Sequence, residues 1–234
     1  GSLLVGEFTA IFTYIMQIIM SFLMTIAMVA QLFMSEASAK RIAEVLDEEP
    51  DIKDPENALE TLKDASVEFK NVSFSYNEGK NIINNASFKI NSGEMVGIMG
   101  ATGSSKSSLV QLIARLYDVT DGEVLVGGEN VKKYKLHSLR ENVGMVLQKN
   151  VLFSGTIADN LRWGNKDATD EELRNACKIA DADEFVSSFP DGYQTDLGQG
   201  GVNVSGGQKQ RLCIARAILK SPKILILDDS TSAV

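Results

Sequence analysis

No Asp, Glu, Lys or Arg occurs between Phe8 and Ser35, in a chain that is charged throughout the remainder. A charge-free apolar run of more than about 20 residues is long enough to cross a bilayer as a helix. Basic residues are also missing ahead of the run, where only Glu7 is charged, and the run is too long for the apolar stretch of a secretory leader. Both features make a signal peptide a poor alternative reading of this run. Cysteine is scarce: Cys177 and Cys213 form no paired spacing and no metal pattern, which excludes a disulfide framework and a zinc site and leaves small buried side chains in a reducing compartment. A basic excess is absent as well. The net charge of −8 argues against a nucleic-acid surface, so any anionic ligand has to be held by local groups. No internal repeat is present.

The chain reads as a membrane segment over 1–35, a helical extension and linker over 36–64, and a globular domain over 65–234. The apolar run FTAIFTYIMQIIMSFLMTIAMVAQLFM is followed by EASAKRIAEVLDEE, whose small and charged residues suit a helix leaving the bilayer. Lys40 and Arg41 put this end on the cytoplasmic side. PDIKDPENALETLKD is acidic, carries Pro50 and Pro55, and reads as a linker. From Val67 onward strand and helix patterns alternate. VEFKNVSFSY and ASFKI read as partner strands, EMVGIMG, NVGMVLQ and KILILDD as buried strands, and DGEVLVGG as hairpin-like. KSSLVQLIARLY, EELRNACKIADADEFVSSF and SGGQKQRLCIARAILK read as helical. The order predicts an α/β core with an antiparallel portion near its start and a helical insertion.

GIMGATGSSKSSL sets a Gly-rich turn between a strand and a helix, the context that a phosphate-binding loop requires. Backbone N–H groups of Gly100, Ala101, Thr102, Gly103, Ser104 and Ser105 can turn inward around phosphate oxygens, and the helix N-terminus adds to the attraction. Lys106 would reach the outer phosphates and Ser107 would offer a hydroxyl to magnesium, with Ser108 next to it. The strict pattern G-x-x-x-x-G-K-[ST] fails at one place, where Ser105 replaces the second Gly. A non-Gly residue in a left-handed conformation costs on the order of 1–2 kcal/mol, enough to weaken ATP binding without abolishing it. Taken alone, the segment could also be a strand-to-helix turn with no ligand.

Three further segments follow: VGMVLQKNVLFSGTIADN with Gln148 ending a strand, NVSGGQKQR with Ser205, Gly206, Gly207 and Gln208 opening a helix, and KILILDDSTSA with Asp228 and Asp229 ending a strand. Together with the phosphate loop they resemble the ATP-binding cassette (ABC) transporter family over essentially the whole chain. SGGQ is the most specific element, and FSGTIADN with the preceding span looks like the exporter branch. The resemblance implies an α/β phosphate-loop (P-loop) NTPase nucleotide-binding domain with an antiparallel β portion and a helical subdomain, preceded by one transmembrane α-helix. It implies ATP and Mg2+ as ligands. Tyr76 would stack on adenine, or else be an ordinary strand-surface tyrosine. Gln148 would touch magnesium and the attacking water and report to the membrane part. Asp228 would hold magnesium, and Ser205 to Gln208 would bind the ATP held by the opposite subunit. TDLGQGGVN resembles the segment that contacts the partner's membrane loops.

The residue after the magnesium Asp is usually Glu in that family, where it polarises the attacking water; here it is Asp229. Its carboxylate is set back by about 1.5 Å, and a misplacement of around 1 Å can cost on the order of a hundredfold in rate. The signature is nearly intact, with Val204 in place of the usual Leu. A weak site beside a sound signature looks like the degenerate subunit of a heterodimeric exporter, paired with a second half-transporter in a plasma or inner membrane. The family's Asp-containing loop and switch histidine would lie past Val234, and His137 precedes Gln148 and cannot be that switch. Five further spans would precede Gly1, so the chain is expected to be a fragment that transports nothing alone.

In the span, Thr9, Thr13, Gln17, Ser21 and Thr25 recur every four residues beside Met16, Met20, Met24 and Met28. This stripe reads either as a helix-packing face or as a pathway lining for varied apolar substrates. Two other functions compete with export: a non-transport ATPase of the same superfamily, and a regulatory module that binds ATP without hydrolysing it. The first of these is separated from export by extraction. The span predicts that the protein leaves membranes only with detergent, and release by high salt alone would overturn it.

Overall fold

The computed structural model describes residues 5–76 and 79–228, and the chain divides into two compact units, Gly1–Asp51 and Ile52–Val234. In the first unit, α1 (Val5–Leu46) runs without a break through the apolar stretch and the polar extension. At 1.5 Å per residue such a helix is about 63 Å long, roughly twice the hydrocarbon thickness of a bilayer. It is the described helix long and apolar enough to cross a membrane, and its apolar side chains are exposed. Its hydroxyls turn inward on the helix itself. Thr9 Oγ1 donates to the carbonyls of Val5 and Gly6, Thr13 Oγ1 to Thr9 and Thr25 Oγ1 to Ser21, at 2.8–3.1 Å. At these threonines the stripe presents methyl groups, with their hydroxyl protons already used, beside the Gln17 amide and the Ser21 hydroxyl.

The second unit begins with β1 (Val67–Phe74) and β2 (Ile83–Ile90), which pair antiparallel. Val67, Phe69, Val72 and Phe74 of β1 are all buried, although strict alternation would turn the last two outward. A bulge resolves the conflict. The register shifts between Phe69 and Val72, where Asn71 takes φ 49° and its Oδ1 accepts from Ser87 Oγ at 3.1 Å. The extra residue resets the phase, so both halves of the strand face the core. α2 (Lys106–Ile113) follows, then β3 (Asp121–Val126) and β4 (Glu129–Asn130), giving a sheet ordered β2-β1-β3-β4. Gly127 and Gly128 turn this last hairpin with φ 58° and 79°, the positive-φ pair that a two-residue hairpin turn needs.

α3 (Leu136–Asn142) leads into β5 (Val143–Val146), and a helical layer comes next. It comprises β6 (Gly155–Thr156), α4 (Ile157–Arg162), α5 (Asp170–Ile179), α6 (Asp183–Ser188), β7 (Asp196–Leu197) and α7 (Gly206–Leu219). Three of its helices start at reciprocal caps: Thr156 with Asp159, Thr169 with Glu172 and Ser205 with Gln208. Each cap satisfies two backbone donors that would otherwise be orphaned. The single helical stretch expected over EELRNACKIADADEFVSSF is two helices, broken where Asp181 takes φ 54°. β8 (Ile224–Leu227) then returns to pair parallel with β5.

Two apolar cores result. The first joins β1, β2, β3 and α2 to Val143 and Ile226, and the second lies within the helical layer and takes Val146. Cys177 and Cys213 are buried, free thiols of the second core. Burial pushes the Cys177 thiol up to about 11, which leaves it unreactive at neutral pH. Residues 52–64, read as linker in sequence, lie on the second unit as a strap. Leu59 N donates to Lys133 O, Leu59 O accepts from Lys135 N, Asp54 Oδ1 accepts from Leu136 N, and Leu62 is buried.

The expected buried strand over EMVGIMG is not found. Residues 94–100 are exposed, Met95 and Met99 almost completely, and have no strand partner among the described residues. An apolar run becomes a buried strand only where a neighbouring strand and a covering layer receive it, and here neither does. Gly164, just after α4, shows how tightly the helical layer packs: a Cβ built there would overlap the carbonyl oxygen of Arg216 in α7. Gly164→Ala is expected to destabilise the domain by about 1–3 kcal/mol. Gly206→Ala, where a Cβ meets nothing within 4 Å, should melt like the parent. Thermal unfolding of the two variants checks this, and equal melting temperatures would refute it.

Candidate functional site

The Gly-rich turn expected to hold phosphates lies immediately before α2. Gly100, Ala101, Thr102, Gly103 and Ser104 are exposed, Gly103 takes φ 81°, and Ser104 N donates to Ala101 O at 3.1 Å. Ser105 is the residue at the N-cap of α2, with φ 63° and ψ 22°, and its hydroxyl makes no capping bond. The left-handed conformation anticipated from the missing Gly is therefore present, without the side-chain bond that usually compensates a non-Gly residue there. Ser105 O accepts from Leu109 N at 2.9 Å and starts the helix. Lys106 Nζ folds back over the turn and donates to Gly100 O at 2.9 Å and Ala101 O at 3.0 Å. The ammonium is thus fixed over the mouth of the loop, and no acidic residue occupies the first turn of α2. A helix N-terminus of this kind attracts anions.

Ser107 is half-buried and Ser108 buried in the same first turn. Tyr76 lies just after β1, with about half its surface exposed. Its ring meets Phe74 edge-to-face at 5.0 Å and Tyr117 at 4.9 Å, and its hydroxyl lies 2.8 Å from Ser108 Oγ. The predicted base platform and the predicted phosphate loop are therefore in direct contact. Tyr117 was missed in sequence because it follows the end of α2, and nothing local distinguishes it from an ordinary helix-end tyrosine.

Gln148 and Asp228 come from neighbouring parallel strands. β5 and β8 pair from Val143↔Ile224 to Val146↔Leu227, and Asp228 N continues the ladder to Val146 O at 2.9 Å. Both residues follow the carboxyl ends of these strands, the edge at which open α/β sheets hold ligands. Gln148 is exposed and Asp228 half-buried. Asp229 lies outside the described residues. The oxygen donors of Ser107, Gln148 and Asp228 are the hard ligand type that Mg2+ takes.

Ser205, Gly206, Gly207 and Gln208 open α7. Ser205 N donates to Gln208 Oε1 at 2.9 Å, and Gln208 N to Ser205 Oγ at 3.3 Å. The helix opened by this tip, α7, packs into the second core, and the helix opened by the phosphate loop, α2, packs into the first, so the two candidate phosphate-binding ends are carried by different cores. Gly206 is exposed with open space around its Cα, so the fold itself does not require glycine there. β6 and β7 pair antiparallel, which brings the FSGTIADN and TDLGQGG segments together. A groove of about 380 Å³ runs beside the Gln148 loop, lined by Lys149, Phe153, Trp163, Arg216 and others, with Phe153 stacked on Trp163 at 4.7 Å. Sequence reading had not singled out this groove, because its walls come from distant segments.

A loop that fixes a lysine over a helix N-terminus, strand-end oxygen donors on a parallel pair and a separate serine–glycine helix tip define a nucleotide-binding domain of the cassette type. The family model for ABC transporter matches residues 83–232, and the chain belongs to the ABC transporter family. It is 45% identical to the ABC transporter ATP-binding protein YknU of Bacillus subtilis (strain 168), over 98% of the chain and 40% of that protein. It is 41% identical to the multidrug efflux ATP-binding/permease protein Rv0194 of Mycobacterium tuberculosis (strain ATCC 25618 / H37Rv), over all of the chain and 20% of that protein. A bacterial Atm1-family ABC exporter solved with ATP bound superposes with a TM-score of 0.86 at 33% identity, covering all of this chain and 41% of that one. The chain thus spans well under half the length of these relatives.

Ser105→Gly removes about 1–2 kcal/mol of left-handed strain, partly offset by the greater freedom of glycine in the unfolded chain. The nucleotide-free variant is expected to melt about 2–4 °C higher, the shift that roughly 1 kcal/mol produces in a domain of this size. A melting temperature equal to or below the parent's would show that Ser105 carries no strain.

Proposed function

We propose that this chain is the ATP-binding part of an ABC exporter subunit, with α1 as a membrane span of that subunit and the domain from Ile52 onward on the cytoplasmic side of the cell membrane. It works paired with a second half-transporter. ATP is held between the two domains, by the Lys106 loop and Tyr76 of one and by the Ser205–Gln208 tip of the other. The reading is supported by the location of those two ends on separate cores of one chain, which suits a ligand shared between chains. The open space at Gly206 also supports it, since a backbone that must approach a phosphate closely needs that room. Mg2+, held through Ser107, Gln148 and Asp228, would supply charge neutralisation at the phosphates. Gln148 and Asp229 are the residues assigned to the attacking water.

The site built on this chain's own loop is the weaker of the pair. Ser105 strains the loop and Asp229 is short by about one bond length. The signature completes the efficient site on the partner. The groove beside Gln148 and the joined FSGTIADN and TDLGQGG segments suit contact with the loops of the membrane part. The methionines along the span suit either helix packing or a pathway for varied apolar compounds. The strained loop also favours a second reading, a module that binds ATP and closes without hydrolysing it. Measuring nucleotide binding with and without the partner domain distinguishes the two.

In the assembled pair, Asp229→Glu combined with Ser105→Gly is expected to raise ATPase turnover about tenfold or more, the gain that restoring a carboxylate displaced by about 1 Å allows. Unchanged turnover in that double variant would remove the degenerate-site reading.

A further inference from the structure

The Tyr76 side chain has more fixing points than a stacking ring requires. Its hydroxyl lies 2.8 Å from Ser108 Oγ and 3.4 Å from Gln111 Oε1. Ser108 and Gln111 are three apart on α2 and share one helix face. Ser108 is buried at 7% exposure, so its hydroxyl needs a partner, and among the described residues Tyr76 provides it. The three groups form a consistent chain in which Ser108 donates to the Tyr76 oxygen and Tyr76 donates to Gln111. Phe74 and Tyr117 pack against the ring with centroids 5.0 and 4.9 Å away, each nearly perpendicular to it. The ring hangs from the end of β1, whereas the phosphate loop opens α2, so these contacts join two separate elements of the first core.

We propose that the Tyr76–Ser108 hydrogen bond is a tether that presets the distance between the base platform and the phosphate loop, with Tyr76 Oη and Ser108 acting as positioning groups for ligands that span both. This rests on the nucleotide-binding reading of the site. A nucleoside triphosphate bridges platform and loop, and fixing their separation before it arrives removes an ordering cost from binding. A ligand that touches the loop alone gains nothing from the tether. The bond therefore favours triphosphates that carry a base over inorganic polyphosphate, independently of the stacking itself.

The test uses the full chain in detergent and two probes, MgATP and inorganic tripolyphosphate, each titrated by calorimetry, with thermal unfolding as a check on folding. Tyr76→Phe keeps the ring and removes the tether. It is expected to weaken ATP binding about three- to tenfold, the loss of one neutral hydrogen bond, and to leave tripolyphosphate affinity within about twofold. Ser108→Ala removes the same bond from the other side, so the double variant should bind ATP no more weakly than the weaker single one. ATP affinity unchanged in Tyr76→Phe, or a parallel loss for both probes, overturns the tether. Lys106→Ala tests the underlying reading separately: retention of ATP binding there would mean that this loop is not the triphosphate site, whatever Tyr76 does.

Discussion

The parallel pairing of β5 with β8 is the constraint on which the rest of the domain depends. It sets Val143 and Ile226 into the first core and Val146 into the second, so one short strand serves as the seam between sheet and helical layer. The same pairing brings the ends of both strands to one edge, where Gln148 and Asp228 emerge, and the bond from Asp228 N to Val146 O carries the alignment past the last strand residue. Backbone hydrogen bonds fix that edge far more rigidly than side-chain contacts alone could, and groups proposed to act on one phosphate need such rigidity.

Elsewhere in the domain the polar groups are also arranged before any ligand arrives. Lys106 is bound to the carbonyls of its own loop, Ser205 and Gln208 cap each other, and Tyr76 is tied to Ser108. Each bond holds a side chain near the place where its proposed role requires it. Ser105 is the exception, a left-handed serine whose hydroxyl caps nothing. Strain of this kind persists only where neighbours over-determine the backbone. Here the Ser105 carbonyl is committed to Leu109 N, and Lys106 is anchored on the turn's other side.

Much of this was legible in the sequence where the signal is local. The polar Ser205 marks the start of α7, DGEVLVGG marks a hairpin, and the missing glycine at Ser105 marks the left-handed residue. Features that depend on partners distant in sequence were not. The bulge at Asn71 needs Ser87 on β2 and the room that Gly122 leaves beside the Asn71 carbonyl. EMVGIMG has the composition of a buried strand, but burial is a property of its surroundings, and Met95 and Met99 are open. The strap over residues 52–64 has a linker's proline and charge, yet Leu62 finds a core position and Leu59 a strand-like partner. Tyr117 and Gln111 gain their importance only from Tyr76, which lies far from both along the chain.

The seam also has a consequence for how the protein is made. The helices of the helical layer pack on one another and on α7, all of which precede β8 in the chain, so that layer can assemble before β8 is available. β8 is the last described strand, and β5 must wait for it through the synthesis of the whole helical layer. Val143 to Val146 therefore spend that interval as an unpaired apolar edge, the kind of surface that chaperones shield and aggregates recruit. Chains stalled before Ile224 would lack the strand that covers this edge, with Asp228 not yet made.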